Sequence, residues 1–85
     1  MRIVWDEPKR LTNLAKRGLD FAQLDIGFVA ASTVVAAKSG RFMAIGWFNG
    51  MMISVVFRVL GNEAISVISM RHASRKERAI YAEAR

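Results

Sequence analysis

No cysteine occurs in this chain of 85 residues, and proline, tyrosine and histidine occur once each. Without thiols there is no disulfide framework and no zinc knuckle, which fits a cytoplasmic protein without demanding one. A lone histidine leaves no usual donor set for a transition metal, so neither metal nor cofactor is expected. The apolar runs stop well short of the roughly 18 residues that cross a bilayer. The segment from Met1 to Pro8 lacks an apolar run of signal-peptide length. Neither a membrane anchor nor a leader is therefore expected. Acidic residues are scarce as well, with 7 against 13 lysines and arginines and a net charge of +6.

What is present is apolar side chain, 53% of the total, enough for a single folded domain over residues 1–85 with little surplus stability. The cations are not spread evenly. Residues 1–20 hold Arg2, Lys9, Arg10, Lys16 and Arg17, residues 71–85 hold Arg71, Arg75, Lys76, Arg78 and Arg85, and only Lys38, Arg41 and Arg58 lie between. If the fold joins the two ends they make one basic patch, suited to a polyanion and giving salt-dependent binding. An acidic protein surface would be attracted equally well.

Arg2–Trp5 reads as a short strand. Asp6 is placed to cap a helix with Pro8 in its first turn, where the missing N–H costs nothing. Leu11, Leu14 and Ala15 are spaced to form the inner stripe of that helix, with Lys9, Arg10, Asn13, Lys16 and Arg17 largely outside it and Gly18 ending it. Asp20 then caps a second predicted helix carrying Phe21, Leu24 and Phe28 at helical spacing. From Thr33 the pattern turns to strands: Thr33–Ala37, Phe42–Phe48, Met51–Arg58 and Ala64–Met70. Lys38-Ser39-Gly40 and Gly61-Asn62 mark turns, and Asn49-Gly50 is the residue pair of a type I′ hairpin. The expected fold is α+β: a strand and two helices, an antiparallel meander, and a C-terminal helix.

The last strand runs straight into Arg71-His72-Ala73-Ser74-Arg75-Lys76-Glu77-Arg78. Ser74 and Glu77 have capping-box spacing, each satisfying a backbone N–H that the first helical turn leaves free. Positive charge fixed at a strand-to-helix junction suits a phosphate, here one of RNA or DNA. A solvated basic tail is the competing interpretation.

At this point the residues resemble the BrnT toxin family. Trp5-Asp6, Lys9, Asn13, Lys16, Gly18 and Phe21 match its opening, W-D-x-x-K-x-x-x-N-x-x-K-H-G-x-x-F. Arg41-Phe42 to Gly46 resembles its central strand. Ile68-Ser69-Met70-Arg71, Ala73-Ser74, Glu77-Arg78 and Tyr81 resemble its ending. The resemblance implies a RelE-like fold and a type II toxin that cleaves RNA without metal. It also implies a BrnA-like antitoxin of the ribbon-helix-helix kind, through which alone operator DNA would be engaged. Two departures stand out. The segment from Ala30 to Gly40 is short and carries no carboxylate where the family has a longer acidic loop, and Arg17 replaces the histidine of Lys-His-Gly. They leave open a non-catalytic member that serves as an antitoxin- and nucleic-acid-binding module in operon control.

For cleavage, the activated 2′-OH attacks its own phosphate, the phosphorane charge must be stabilised, a task for arginine, and the 5′-oxygen must be protonated as its bond to phosphorus breaks. Arg71 is the candidate, with Arg58 from the neighbouring strand expected on the same phosphate. His72 is the candidate acid or base, since no other side chain has an ordinary pKa near neutrality. Lys9, Lys16, Arg17, Arg75 and Arg78 are candidate backbone contacts. Tyr81 and Trp5 are candidate base-stacking rings, each with core packing as its alternative. Trp47 and the Met51-Met52 pair are expected in the core.

Overall fold

Asn49 and Gly50 turn the chain with φ of 49° and 78°, the left-handed pair that a two-residue type I′ turn requires. Strand β3 (Phe42–Phe48) enters this turn and β4 (Met51–Leu60) leaves it, with Phe48 opposite Met51 and Phe42 opposite Phe57. A second turn through Gly61 returns the chain as β5 (Ala64–His72), antiparallel to β4. The computed structural model describes residues 1–84. Strand β1 (Arg2–Trp5) lies parallel to the first half of β5, and β2 (Thr33–Ala36) pairs antiparallel with β3. The sheet order is β1-β5-β4-β3-β2. The expected α+β architecture is the observed one.

Helix α1 (Glu7–Arg17) begins at Asp6, whose carboxylate accepts from the Lys9 N–H, and ends at Gly18 with φ 70°. The predicted second helix is instead two pieces. Asp20 caps a 3₁₀ turn over Phe21–Gln23, and Asp25 caps α2 (Ile26–Ala31). Two aspartates five positions apart each offer an N-cap, and the second one restarts the chain in a new direction. Phe21, Leu24 and Phe28 are nonetheless all buried, as their spacing suggested.

Cross-strand partners share a face of the sheet, so the register sorts the side chains. One face carries Ala44 with Val55, Gly46 with Ile53, and Val55 with Met70. These residues pack with Leu19, Phe21, Leu24 and Phe28 into the core. The opposite face carries Ile45 with Ser54 and Ser54 with Arg71, and α3 (Arg75–Glu83) lies over it. A β-bulge changes which residues of β5 belong to which face. Val56 pairs with Ser69 but Phe57 pairs with Val67, so Ile68 is the extra residue. Val67 therefore faces the core, whereas Ser69 and Arg71 face α3; the alternation expected from Val67 through Ser69 to Arg71 is broken at the bulge.

Helix α1 corrects the expected inner stripe. Strand β1 stops at Trp5, opposite Val67, while β5 continues to His72. The helix follows on in line and lies against the exposed edge of β5. Its contact is polar: Asn13 Oδ1 accepts from the Met70 N–H at 3.1 Å and Asn13 Nδ2 donates to the Leu19 carbonyl at 3.0 Å. One side-chain amide thus takes over part of the hydrogen bonding of a missing strand. Helical rotation then turns Leu11 outward, 52% exposed, together with Leu14 and Ala15.

At Gly46 an added Cβ would stand 2.5 Å from Ser32 Oγ and 3.3 Å from Phe28 Cε1. Gly46→Ala is expected to cost about 1–3 kcal/mol by overpacking. Urea unfolding should show a lower midpoint with an unchanged slope; an unaltered midpoint would mean that α2 sits more loosely on β3.

Candidate nucleic-acid interface

Between α1 and the free edge of β5 runs a cleft of about 490 Å³ lined by Pro8, Lys9, Thr12, Asn13, Lys16, Arg17, Ile68, Ser69 and Arg71. Helical spacing sets Lys9, Thr12, Asn13 and Lys16 along one flank of α1. The bulge at Ile68 sets Ser69 and Arg71 on the face of β5 that meets them. The two basic ends of the sequence therefore meet here, with four cations and no carboxylate in the lining.

Arg71 is held from behind. Its Nη1 and Nη2 donate to Glu77 Oε1 at 2.7 Å and Oε2 at 2.6 Å, and Nη1 also donates to the His72 carbonyl at 3.3 Å. Glu77 Oε1 accepts in addition from Ser54 Oγ at 2.8 Å and from the Ser74 N–H at 2.9 Å. The capping box is complete, since Ser74 Oγ in turn accepts from the Glu77 N–H. The Arg71 guanidinium, and after it the Ser74 and Ser54 bonds, hold the Glu77 carboxyl down at about 2, against the cost of burial. The same pair raises the Arg71 pKa, so both charges persist at any physiological pH. Guanidinium carries five N–H groups. Three are accounted for by Glu77 and His72, and the Nε–Nη2 edge, a second planar fork, is left without a partner among the described residues. Arg71 keeps a third of its side-chain surface exposed.

The remaining sequence candidates are placed unevenly. Lys9, Lys16 and Arg17 line the cleft with Arg71. Arg58 does not join them. It is exposed, pairs with Ser66, and lies four residues along β4 from Ser54, roughly 13 Å away. His72 pairs with Ile53, which puts it on the core face, opposite Arg71. Arg75 and Arg78 are exposed on α3, and Tyr81 is half-buried one turn beyond Glu77. Of the two tryptophans, Trp5 follows the core-packing alternative and Trp47 departs from its expected core position. Trp5 packs half-buried against the core and its indole donates to Glu7 at 3.0 Å, whereas Trp47 is 57% exposed near the β3–β4 turn. Met52 is buried and Met51 packs against the core. Sequence reasoning found Glu77 only as a cap and missed Asn13 as an edge clasp. The capping-box spacing was the one visible signal for Glu77; its bond to Arg71 depends on the chain reversal between β5 and α3.

The sequence profile described as "Ribonuclease toxin, BrnT, of type II toxin-antitoxin system" matches residues 5–77. The chain belongs to the BrnT family. It resembles the crystal structure of the Brucella abortus ribonuclease toxin BrnT with a TM-score of 0.83 and 56% identity, over 88% of this chain and 99% of that one. No curated protein matches the chain. The match reaches into both basic ends of this BrnT-family chain and includes the hairpin between them and every residue that lines the cleft. Among the described residues no helix is long and apolar enough to cross a membrane.

Glu77 lies below its ordinary value of 4.5 at about 2, so its stabilising effect is full above pH 4.5 and is lost as pH falls through about 2. Glu77→Gln is expected to flatten the acid limb of the stability curve, leaving the part due to Glu7 and Asp20, which are also held low. Glu77→Ala, which strands Arg71 and Ser54, is expected to cost about 2 kcal/mol. Chemical denaturation from pH 7 to pH 2 checks both; identical acid limbs in wild type and Glu77→Gln would contradict the assignment.

Proposed function

We propose that this BrnT-family protein is a ribonuclease that cleaves RNA without a metal, with Arg71 stabilising the charge of the phosphorane. The observation that carries the proposal is the free Nε–Nη2 fork of Arg71 in a cleft lined by Lys9, Lys16 and Arg17. A bidentate arginine bond to a phosphate strengthens as the non-bridging oxygens gain charge, so it favours the transition state over the bound substrate. Glu77 fixes the guanidinium plane beforehand, and little reorganisation is left for the reaction itself. The lysines neutralise the backbone and set its position without selecting a base. A donor set made only of cations, hydroxyls and an amide is a poor ligand for a divalent metal, which supports metal independence.

The partner implied by the family is an antitoxin. We infer the ribbon-helix-helix, BrnA-like kind, with operator DNA engaged by the complex through that protein. A second reading has an observation in its favour. His72 faces away from Arg71, and neither imidazole nor carboxylate lines the cleft. A protein that binds RNA but lacks a proton carrier would act as a binding module in operon control.

Cleavage of purified RNA in EDTA separates the two. The ribonuclease proposal expects wild-type cleavage and a loss of about 10²–10³-fold in Arg71→Lys, which keeps a charge for Glu77 but loses the second fork. A folded wild type that binds RNA and never cuts it would overturn the enzyme reading in favour of the binding module. Cleavage abolished by EDTA would overturn metal independence.

A further inference from the structure

Arg41 carries a nitrogen that the rest of the fold leaves unexplained. Its Nε is shut off from solvent and has no hydrogen-bond partner among the described residues, an arrangement that costs free energy unless something absent completes it. Arg41 has extended backbone, φ −93° and ψ 167°, immediately before β3. Continuing the register from the Phe42–Phe57 pair by one residue sets it across from Arg58. Two like charges directly opposite each other repel. Among the described residues, neither arginine has an ion-pair partner, since the pairs are Arg10 with Glu7 and Asp20, and Arg71 with Glu77. Arg58 is exposed and Arg41 is partly exposed.

The pair also sits on the right side of the sheet. Arg58 follows Ser54 and Val56 on β4, so it shares the face that carries Arg71. Between the two lie Ser69, opposite Val56, and Ser66, opposite Arg58, all partly exposed and none acidic. Uncharged, partly exposed side chains of β4 and β5 therefore lie between the α1–β5 cleft and the Arg41–Arg58 pair, over roughly 13 Å along the strand.

We propose that Arg41 and Arg58 form a second phosphodiester-binding site, which takes a different backbone phosphate of the same single-stranded RNA whose scissile phosphate is held by Arg71. The inference rests on the ribonuclease reading for the identity of the RNA. A phosphate placed between the guanidinium groups would relieve the repulsion, and a turn of the Arg41 side chain towards it would let the buried Nε donate. The register sets Arg58 roughly 13 Å along the strand from Arg71, and Arg58 does not line the cleft, which favours separate phosphates and gives Arg58 a role in binding. Phosphate fits better than a partner's carboxylate because the pair shares a face of the sheet with Arg71 of the cationic cleft.

The test measures binding of a short single-stranded RNA whose 2′-positions are O-methylated, so that cleavage cannot occur and an inactive protein still gives a reading. Arg58→Gln, at an exposed position, and Arg41→Lys, which keeps the charge but loses the Nε, are each expected to weaken binding about tenfold. In Arg58→Gln the slope of log affinity against log salt should fall by about 0.7. Double-mutant cycles should show Arg41 and Arg58 strongly coupled, with Arg58 and Arg71 close to additive. Unchanged binding in both variants would overturn the site. Strong coupling of Arg58 to Arg71 would also overturn it, since the two would then share a phosphate. So would unchanged RNA binding with weakened binding of an acidic antitoxin. Failure of cleavage with these binding results intact would count against the ribonuclease reading alone.

Discussion

A single carboxylate, Glu77, ties the start of α3 to two neighbouring strands of the sheet. It accepts from Ser54 at the centre of the sheet, from Ser74 at the start of α3, and from both terminal nitrogens of Arg71 on β5. A buried carboxylate is costly unless its oxygens are satisfied and an opposite charge is near. Here each bond serves the others. The helix cannot shift without breaking the arginine pair, and the arginine cannot turn without leaving the carboxylate uncompensated. The consequence for chemistry is orientation: with the end of its guanidinium committed, Arg71 has one edge to offer, and it lines the cleft.

The cleft depends on two departures from regular sheet geometry. The bulge at Ile68 moves Ser69 and Arg71 to the face away from the core, while keeping Val67 and Met70 within it. The early end of β1 leaves half of β5 without a neighbour, and Asn13 brings α1 into that place. Without the bulge, Arg71 would fall on the core face. Without the short β1, no helix flank carrying Lys9 and Lys16 would lie beside it. Both devices use one residue to redirect several, and both put cations from opposite ends of the chain within one groove.

Much of this was legible in the residues. Asn49-Gly50, the Asp6 cap, Gly18 and the Ser74–Glu77 box are local signals, and local geometry obeyed them. Arg71, Lys9, Lys16 and Arg17 were legible as a charge distribution, and the fold gathers them. What escaped the sequence was set by pairing. The side to which Leu11 and Leu14 turn is decided by a helix docking through Asn13, and apolar spacing alone marks a stripe without saying what it faces. Trp47 looked like a core residue because it stands in an apolar strand. The register places it opposite Met52, next to the turn and 57% exposed. His72 was a candidate on pKa grounds, yet strand alternation sends it to the other face from its neighbour. Arg58 and Arg71 share a face, as the chemistry required, but at a separation that only the ladder reveals.

The central claim is that Glu77 holds one end of the Arg71 guanidinium and leaves the Nε–Nη2 edge for a phosphate. The most direct measurement is NMR of the arginine side-chain N–H groups during titration with 2′-O-methylated RNA. The account predicts that the Arg71 Nε–H resonance shifts downfield on binding while its Nη–Glu77 hydrogen bonds persist. An Arg71 Nε–H that does not respond to bound RNA, or a Glu77 pair that breaks when RNA binds, would contradict it.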